Sequence, residues 1–226
     1  LNENLKNEIL QNDLENKTVV QFCCNNGREL LTLGYHHNIH GIGFDIAKNM
    51  VQDANRNADK LKINVEFLER DIFEIEERFN NTADYLIITV GALCWFADLN
   101  RFFQKVASVL KKDGKLFLSD IHPISCMLAV PGEKNYDSKH PSKITNHYFT
   151  KKEWEEADGM GYMSVLEKSL PFYSYSYTMA EVLNSIIQND LEILSLREYP
   201  NDIGEIFQDL DSLGIPLSML IVAKKK

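Results

Sequence analysis

Short apolar segments alternate with amphipathic ones over the first 120 residues of the chain. Five of the segments are rich in β-branched or aromatic residues and are short enough to be strands. These are Thr18–Cys24, Ile39–Phe44, Val65–Leu68, Tyr85–Val90 and Lys115–Ser119. The fourth is almost continuously apolar, which is typical of a central strand that is buried on both faces.

The intervening segments carry apolar residues at helical spacing. We predict helices at Leu5–Leu14, Arg28–Leu33, Ala47–Lys60 and Leu99–Leu110. Regular alternation of strands and helices favours a parallel, doubly wound sheet with right-handed crossovers.

The pattern breaks from about His122 to Tyr177, a stretch rich in proline and aromatic residues. We interpret residues 123–176 as an insertion that forms a lid over the site. Regular structure then returns as a helix and two strands, at Met179–Asn189, Glu192–Glu198 and Leu217–Ala223. The link between these strands is short for a crossover, so the C-terminal strand is expected to be antiparallel. The fold class is therefore α/β: a single domain over residues 1–226 with a Rossmann-like, doubly wound, seven-stranded sheet, parallel except at its C-terminal end.

The composition and charge of the chain indicate a globular protein and argue against nucleic-acid and membrane partners. The chain has 226 residues, of which 44% are hydrophobic and 25% charged, so it can bury a full α/β core and is not a disordered or fibrous protein. Its 33 acidic and 24 basic residues give a net charge of −9, which argues against a nucleic-acid partner. No apolar run is long enough for a transmembrane helix, so no membrane partner is expected.

The cysteines indicate neither a disulfide framework nor a metal site. No pair has CxxC spacing, and the histidines form no metal-binding set with them. The four are Cys23, Cys24, Cys94 and Cys126. We expect reduced thiols in a cytoplasmic protein. The chain has no signal-peptide core and no initiator methionine, so we expect the natural chain to begin earlier.

Ligands of open α/β sheets bind beyond the carboxyl ends of the strands. The loop Cys24–Glu29 follows the first strand, where backbone N–H groups can face a ligand. It holds one glycine, Gly27, whereas the dinucleotide fingerprint needs three, so an ordinary strand–helix turn is the alternative.

Acidic residues follow the second and third strands. Asp45 can accept hydrogen bonds from ribose hydroxyls, or it can cap the next helix. Asp71 and the backbone of Ile72 together complement the edge of an adenine. The alternative for Asp71 is a solvated acid beside Arg70.

The loop after the fourth strand and the end of the fifth strand complete the set. Gly91 lets the backbone approach a ligand, and Trp95 and Phe96 either wall a pocket or belong to the core. His122 and His147 are candidate general bases, with a structural histidine in a turn as the alternative for His122.

Several segments, in this order and at this spacing, resemble class I S-adenosylmethionine-dependent methyltransferases. The resemblance covers Leu14–Asp120 well and extends to the family's closing helix and β-hairpin, as found in its small-molecule branch. The segments are Val19–Gly27, Gly41–Asp45, Glu69–Ile72, Val109–Phe117, Tyr177–Ile187, Glu192–Glu198 and Gly214–Lys224.

The first loop departs from the usual pattern of the family, an acid followed by Gly-x-Gly-x-Gly. Gln21 replaces the acid, and Cys23 and Asn25 replace two glycines, whereas Gly27 is kept. This Cys-Asn-Asn-Gly form resembles the loop of a subgroup of these enzymes. Because Gln21 brings no charge, backbone carbonyls of the first and fourth strands are expected to hold the methionine ammonium instead.

The resemblance implies S-adenosylmethionine as cofactor and assigns a role to each loop. The first loop would hold the methionyl part, through Cys23, Cys24, Asn25, Asn26 and Gly27. The remaining assignments are Asp45 for the ribose, Ile46, Asp71 and Ile72 for the adenine, Thr89, Val90 and Gly91 for the cofactor wall and Trp95 for the acceptor side. His122 is our candidate for catalysis because it ends the fifth strand, where the acceptor pocket should open.

The activity expected from this resemblance is in-line transfer of a methyl group to a small-molecule acceptor by a monomer or homodimer. A base is needed only when the acceptor is a poor nucleophile. Two alternatives remain open. One is an NAD(P)-binding oxidoreductase, and the other is a non-catalytic member of the fold that binds a cofactor or a partner protein.

Overall fold

A central mixed sheet organises the protein. The computed structural model describes residues 1–149, 153–156, 172–211 and 213–226. In these residues seven strands form one sheet in the order β3-β2-β1-β4-β5-β9-β8. The strands are β1 (Thr18–Phe22), β2 (His40–Asp45), β3 (Val65–Glu69), β4 (Ala83–Ile88), β5 (Leu110–Ile121), β8 (Leu191–Tyr199) and β9 (Ser218–Lys225).

The strand directions follow the predicted pattern. Strands β1 to β5 pair in parallel, and β9 runs antiparallel to both β5 and β8. The predicted fold class is therefore confirmed, including the antiparallel C-terminal strand. The order changes direction at β1, where β2 lies on one side and β4 on the other, so β1 and β4 flank the switch point where ligands of such sheets bind.

Helices cover both faces of the sheet. The described helices are α1 (Glu3–Ile9), α2 (Arg28–His36), α3 (Lys48–Leu61), α4 (Leu99–Val109) and α5 (Met179–Ile187). Apolar side chains of α1, α2 and α3 join one buried cluster, and those of α4 and α5 join another. Successive side chains of β1 point to opposite faces of the sheet, so Val19 belongs to the first cluster, whereas Val20 and Phe22 belong to the second.

Several boundaries differ from the predicted ones for local reasons. The first helix stops at Ile9 rather than continuing to Leu14, because the Asn12 amide donates to the carbonyls of Glu8 and Ile9 at 2.9 and 3.2 Å. Strand β1 stops at Phe22, since the next residue, Cys23, has a positive φ of 52°. Strand β5 is longer than predicted and begins directly after α4.

The described part of the insertion includes a pair of strands that the sequence pattern did not indicate. Strands β6 (Glu153–Glu156) and β7 (Phe172–Tyr175) pair antiparallel in a separate two-stranded sheet. The predicted lid over 123–176 lies partly outside the described residues. Within the described part of the chain, none of the helices has the length and apolar character needed to cross a bilayer.

Candidate functional site

The sequence-predicted site residues lie at one edge of the sheet, where the parallel strands end. Four of the loops follow β1, β2, β3 and β4, and His122 follows β5. Asp45 is paired with Glu69 across β2 and β3, so Asp71 lies only two residues beyond that partner on the neighbouring strand. The fold therefore brings together residues that are far apart in the sequence.

The first loop is held in a left-handed conformation. Cys23, Asn25 and Gly27 have φ angles of 52°, 48° and 73°, and asparagine and glycine adopt such angles at little cost. The N–H of Cys24 donates to the carbonyl of Phe44 at 3.1 Å, which fixes the loop to β2. A Cβ on Gly27 would lie 2.4 Å from two ring carbons of Phe67, so this loop lies directly against the buried β3 side chain.

Asp45 links this loop to the next one. Its Oδ2 accepts from the N–H of Asn25 at 2.7 Å, and its Oδ1 accepts from the N–H of Ala47 at 2.9 Å. The residue is half-buried at the end of β2. It therefore stabilises both loops, as in the capping alternative. A carboxylate has about four acceptor positions, so capacity for ligand hydroxyls remains.

The third loop presents Asp71 beside an apolar surface. Asp71 accepts from the N–H of Phe73 at 2.8 Å, and Ile72 is buried beneath it. Arg70 turns away from Asp71 and bonds Glu76 at 3.0 Å. Ile46, in the adjacent loop, has 73% of its surface exposed, which is unusual for an isoleucine and suits a flat apolar ligand group.

A buried acid that the sequence reasoning missed supports the fourth loop. Asp120 accepts from the N–H groups of Gly91 and Leu93 at 2.7 and 3.2 Å. Burial raises the pKa of Asp120 to about 6, although these backbone N–H groups oppose the shift. The position of Asp120 in the sequence could have indicated this role, because an acid near the end of the apolar strand β5 is expected to be buried and therefore to need hydrogen-bond donors.

The two aromatic residues of the fourth loop have different environments. Trp95 keeps 40% of its surface exposed, and its ring meets that of Phe172 edge-on with 5.7 Å between centroids. Phe96 instead packs on Phe102 with centroids 4.2 Å apart. Phe172 belongs to β7, so the insertion lies against the Trp95 side of the site. Trp95 is thus partly exposed to solvent, whereas Phe96 contributes to the core.

His122 lies at the end of β5 with both ring nitrogens engaged. Its Nδ1 accepts from the N–H of Ile124 at 3.1 Å, and its Nε2 is 2.8 Å from Oε1 of Glu198 on β8. With Nδ1 accepting, Nε2 carries the proton and donates to Glu198. Burial lowers the pKa of His122 despite this carboxylate. The arrangement joins β5 to β8, as expected for the structural alternative, and use of His122 as a base stays a prediction.

The cysteines of the first loop are not activated thiols. Burial raises the pKa of Cys23 and of Cys24, and the negative charges of Asp45 and other nearby carboxylates raise both further. Thiols in such an environment remain protonated and are poor nucleophiles.

A second residue that sequence reasoning missed lies beside Gln21. The Gln21 side chain is fully buried, and its Nε2 donates to Oε2 of Glu29 at 3.3 Å and to Oγ1 of Thr89 at 3.4 Å. The Glu29 side chain is only 14% exposed. Nothing in the sequence singled out Glu29, because acidic residues are common in the first turn of a helix, where they interact favourably with the helix dipole.

Two solved structures share the fold along nearly the whole chain. An S-adenosylmethionine-dependent methyltransferase from Mesorhizobium loti is 18% identical, with a TM-score of 0.72 over 96% of this chain and 95% of its own. A SAM-dependent methyltransferase from Methanosarcina mazei is 17% identical, with a TM-score of 0.68 over 96% of each chain.

A third solved structure has a named acceptor. It is geranyl diphosphate C-methyltransferase from Streptomyces coelicolor A3(2), in complex with Mg²⁺, geranyl diphosphate and S-adenosyl-L-homocysteine. This chain is 15% identical to it, with a TM-score of 0.65 over 99% of this chain and 79% of the other. At these identities the three structures show the shared fold. No curated protein sequence matches the chain.

The sequence itself matches a protein family. The family described as "Methyltransferase domain" matches residues 13–167, which is more than half of the chain and includes all the loops at the carboxyl edge of the parallel strands. The family match favours a methyltransferase over the NAD(P)-binding alternative. The chain belongs to this family of methyltransferase domains.

Proposed function

We propose that the protein transfers a methyl group from S-adenosylmethionine to a small-molecule acceptor. The observation that carries the proposal is the convergence of the first four loops at the switch point of a sheet whose family is that of methyltransferase domains. The complexes of the Streptomyces coelicolor relative, which contain S-adenosyl-L-homocysteine, support the same cofactor.

The residues present fit this cofactor. Asp45 at the end of β2 and Asp71 in the loop after the adjacent β3 provide half-buried carboxylates, with exposed Ile46 in the loop after Asp45. Asp45 would bind the ribose hydroxyls, and Asp71 would accept from the adenine amine beside the backbone of Ile72. The exposed side chain of Ile46 would pack on the adenine ring.

The first and fourth loops would hold the methionyl part of the cofactor. Residues 23–27 form a turn after β1 with positive φ angles at Cys23, Asn25 and Gly27, and we assign the methionyl part to it. Residues 89–91 would line the opposite wall, where Asp120 fixes the N–H of Gly91. Because β1 and β4 are adjacent strands, the two loops can contact one ligand.

When bound, S-adenosylmethionine supplies a methyl group on a positively charged sulfur. The chain's own contribution is alignment of the acceptor and exclusion of water. Trp95 and Phe172 form an apolar flank between the fourth loop and the insertion, and we assign this flank to the acceptor. His122 would act as a base only if its unprotonated nitrogen, Nδ1, gave up the hydrogen bond from the N–H of Ile124.

Calorimetric titration tests the proposal. We expect S-adenosylhomocysteine to bind at micromolar concentrations and NADH, the parallel control, not to bind. A screen of small acceptors with methyl-labelled S-adenosylmethionine then measures transfer. Binding of NADH alone would favour the oxidoreductase alternative. Full cofactor affinity without transfer to any acceptor in a broad panel would favour a non-catalytic member.

A further inference from the structure

Glu29 is a nearly buried carboxylate without a strong cationic partner. Among the described residues, its ion-pair partner is the side chain of Arg28, whose Nε is 3.6 Å from Oε1 of Glu29. Arg28 is 77% exposed, so this ion pair is solvated and weak. A carboxylate that is largely removed from water needs a charged or hydrogen-bonding partner, and a ligand with a cationic group can supply one.

Gln21, on β1, positions the Glu29 carboxylate by a hydrogen bond from its side-chain amide. Its amide nitrogen faces two oxygens, Oε2 of Glu29 and Oγ1 of Thr89. This orientation of the amide is assigned because the reverse one would place Oε1 of Gln21 against a carboxylate oxygen of Glu29, where neither atom can donate. The other Gln21 atom, Oε1, is buried and has no hydrogen-bond partner among the described residues. An unpaired buried acceptor beside a carboxylate marks a place that a positively charged donor completes.

The two side chains lie between the loops assigned to the cofactor. Gln21 is two residues before Cys23 on β1, Glu29 is two residues after Gly27 at the start of α2, and Thr89 directly follows β4. We propose that Glu29, oriented by Gln21, binds the ammonium group at the amino-acid end of the cofactor. This inference rests on the proposed function and names the residue that supplies the charge which Gln21 lacks.

The assignment changes the expectation drawn from the sequence. Backbone carbonyls were expected to hold the ammonium because Gln21 is neutral. In the structure a full negative charge lies within hydrogen-bond distance of Gln21, and charged hydrogen bonds are stronger than neutral ones. Glu29 is thus a binding residue and Gln21 a positioning residue.

Two ligands that differ only at the amino-acid end test the assignment by calorimetry. S-Adenosylhomocysteine carries the ammonium, whereas 5′-methylthioadenosine has the same nucleoside and thioether without it. We expect Glu29→Gln to weaken binding of the first about tenfold or more and to change binding of the second by less than about twofold. Gln21→Leu should give the same ligand-specific loss, about three- to tenfold.

Arg28→Gln is the matched control, since it removes the adjacent exposed charge, and it should leave both affinities unchanged. Equal weakening of both ligands by Glu29→Gln, or no weakening of either, would overturn the role of Glu29. Wild-type protein that binds neither ligand would instead contradict the proposed function itself. Thermal melts of each variant confirm that the loss of affinity is not a loss of folding.

Discussion

Replacing Gly27 by alanine tests how the first loop is built. The new Cβ would lie 2.4 Å from two ring carbons of Phe67 and 3.1 Å from Cβ of Ala54. Ordinary carbon contacts are about 3.5–4.0 Å, so the ring or the loop must move by about 1 Å. Overpacking of this kind costs about 1–3 kcal/mol. The left-handed φ of 73° adds about 1–2 kcal/mol for a residue with a Cβ.

The expected loss of unfolding free energy is therefore about 2–5 kcal/mol. Gly91→Ala is a matched control, because Gly91 has a similar φ of 81° and nothing within 4 Å of its added Cβ. It should lose only the conformational part, about 1–2 kcal/mol. Urea unfolding measures both variants, and with a slope of about 2 kcal/mol per M their midpoints should differ by roughly 0.5–1.5 M.

A double-mutant cycle tests whether contact with the Phe67 ring causes the loss of stability in Gly27→Ala. Phe67→Leu removes the ring atoms that the new Cβ would meet, so the combined variant should be more stable than the sum of the two single changes predicts, by about 1 kcal/mol or more. Equal midpoints for Gly27→Ala and Gly91→Ala, or simple additivity with Phe67→Leu, would refute the packing of this loop on β3.

Three further changes probe the site. Asp45→Ala should weaken binding of S-adenosylhomocysteine at least about tenfold in calorimetry. It should also lower the free energy of unfolding by about 1–3 kcal/mol, since two backbone N–H groups lose their acceptor. Unchanged affinity would remove Asp45 from the site. Because burial raises the pKa of Asp120 to about 6, the native state keeps a proton that the unfolded chain releases near pH 4, so the stability contribution of this group falls as the pH rises from about 4 to 6. The difference in unfolding free energy between wild type and Asp120→Asn should shift across that window by up to about 3 kcal/mol, and a flat difference would contradict the shift. Trp95→Ala should raise the KM for an acceptor found in the screen about tenfold with S-adenosylhomocysteine affinity unchanged, and the reverse pattern would place Trp95 on the cofactor side.

Much of the fold was predictable because parallel strands that are buried on both faces are read as apolar runs. Tyr85–Val90 is such a run, and the strand observed there, Ala83–Ile88, differs by two residues at each end. The pair of strands β6 and β7 was not predictable in the same way. Its strands are four residues each and lie in a segment rich in proline and aromatic residues, where periodicity carries little information.

The candidate site was predictable as a set of positions but not as a set of contacts. Residues that follow successive strands must lie at one edge of a parallel sheet, so Asp45 and Asp71 could be assigned to it from the chain order alone. The capping bond of Asp45 to Ala47 was also open to local reasoning. Its second bond, to the backbone of Asn25, depends on the pairing of β1 with β2.

The alternation of strands and helices, the antiparallel end and the loops that could bind a ligand were therefore predictable from the chain alone, because they depend on local periodicity, linker length and turn chemistry. Which of the side chains in those loops meet was not predictable in this way. Asp120 reaches the N–H of Gly91 from 29 residues away, and Gln21 reaches Thr89 from 68 residues away. Such contacts arise from the order of strands in the sheet, which is set by long-range packing and which no local pattern encodes.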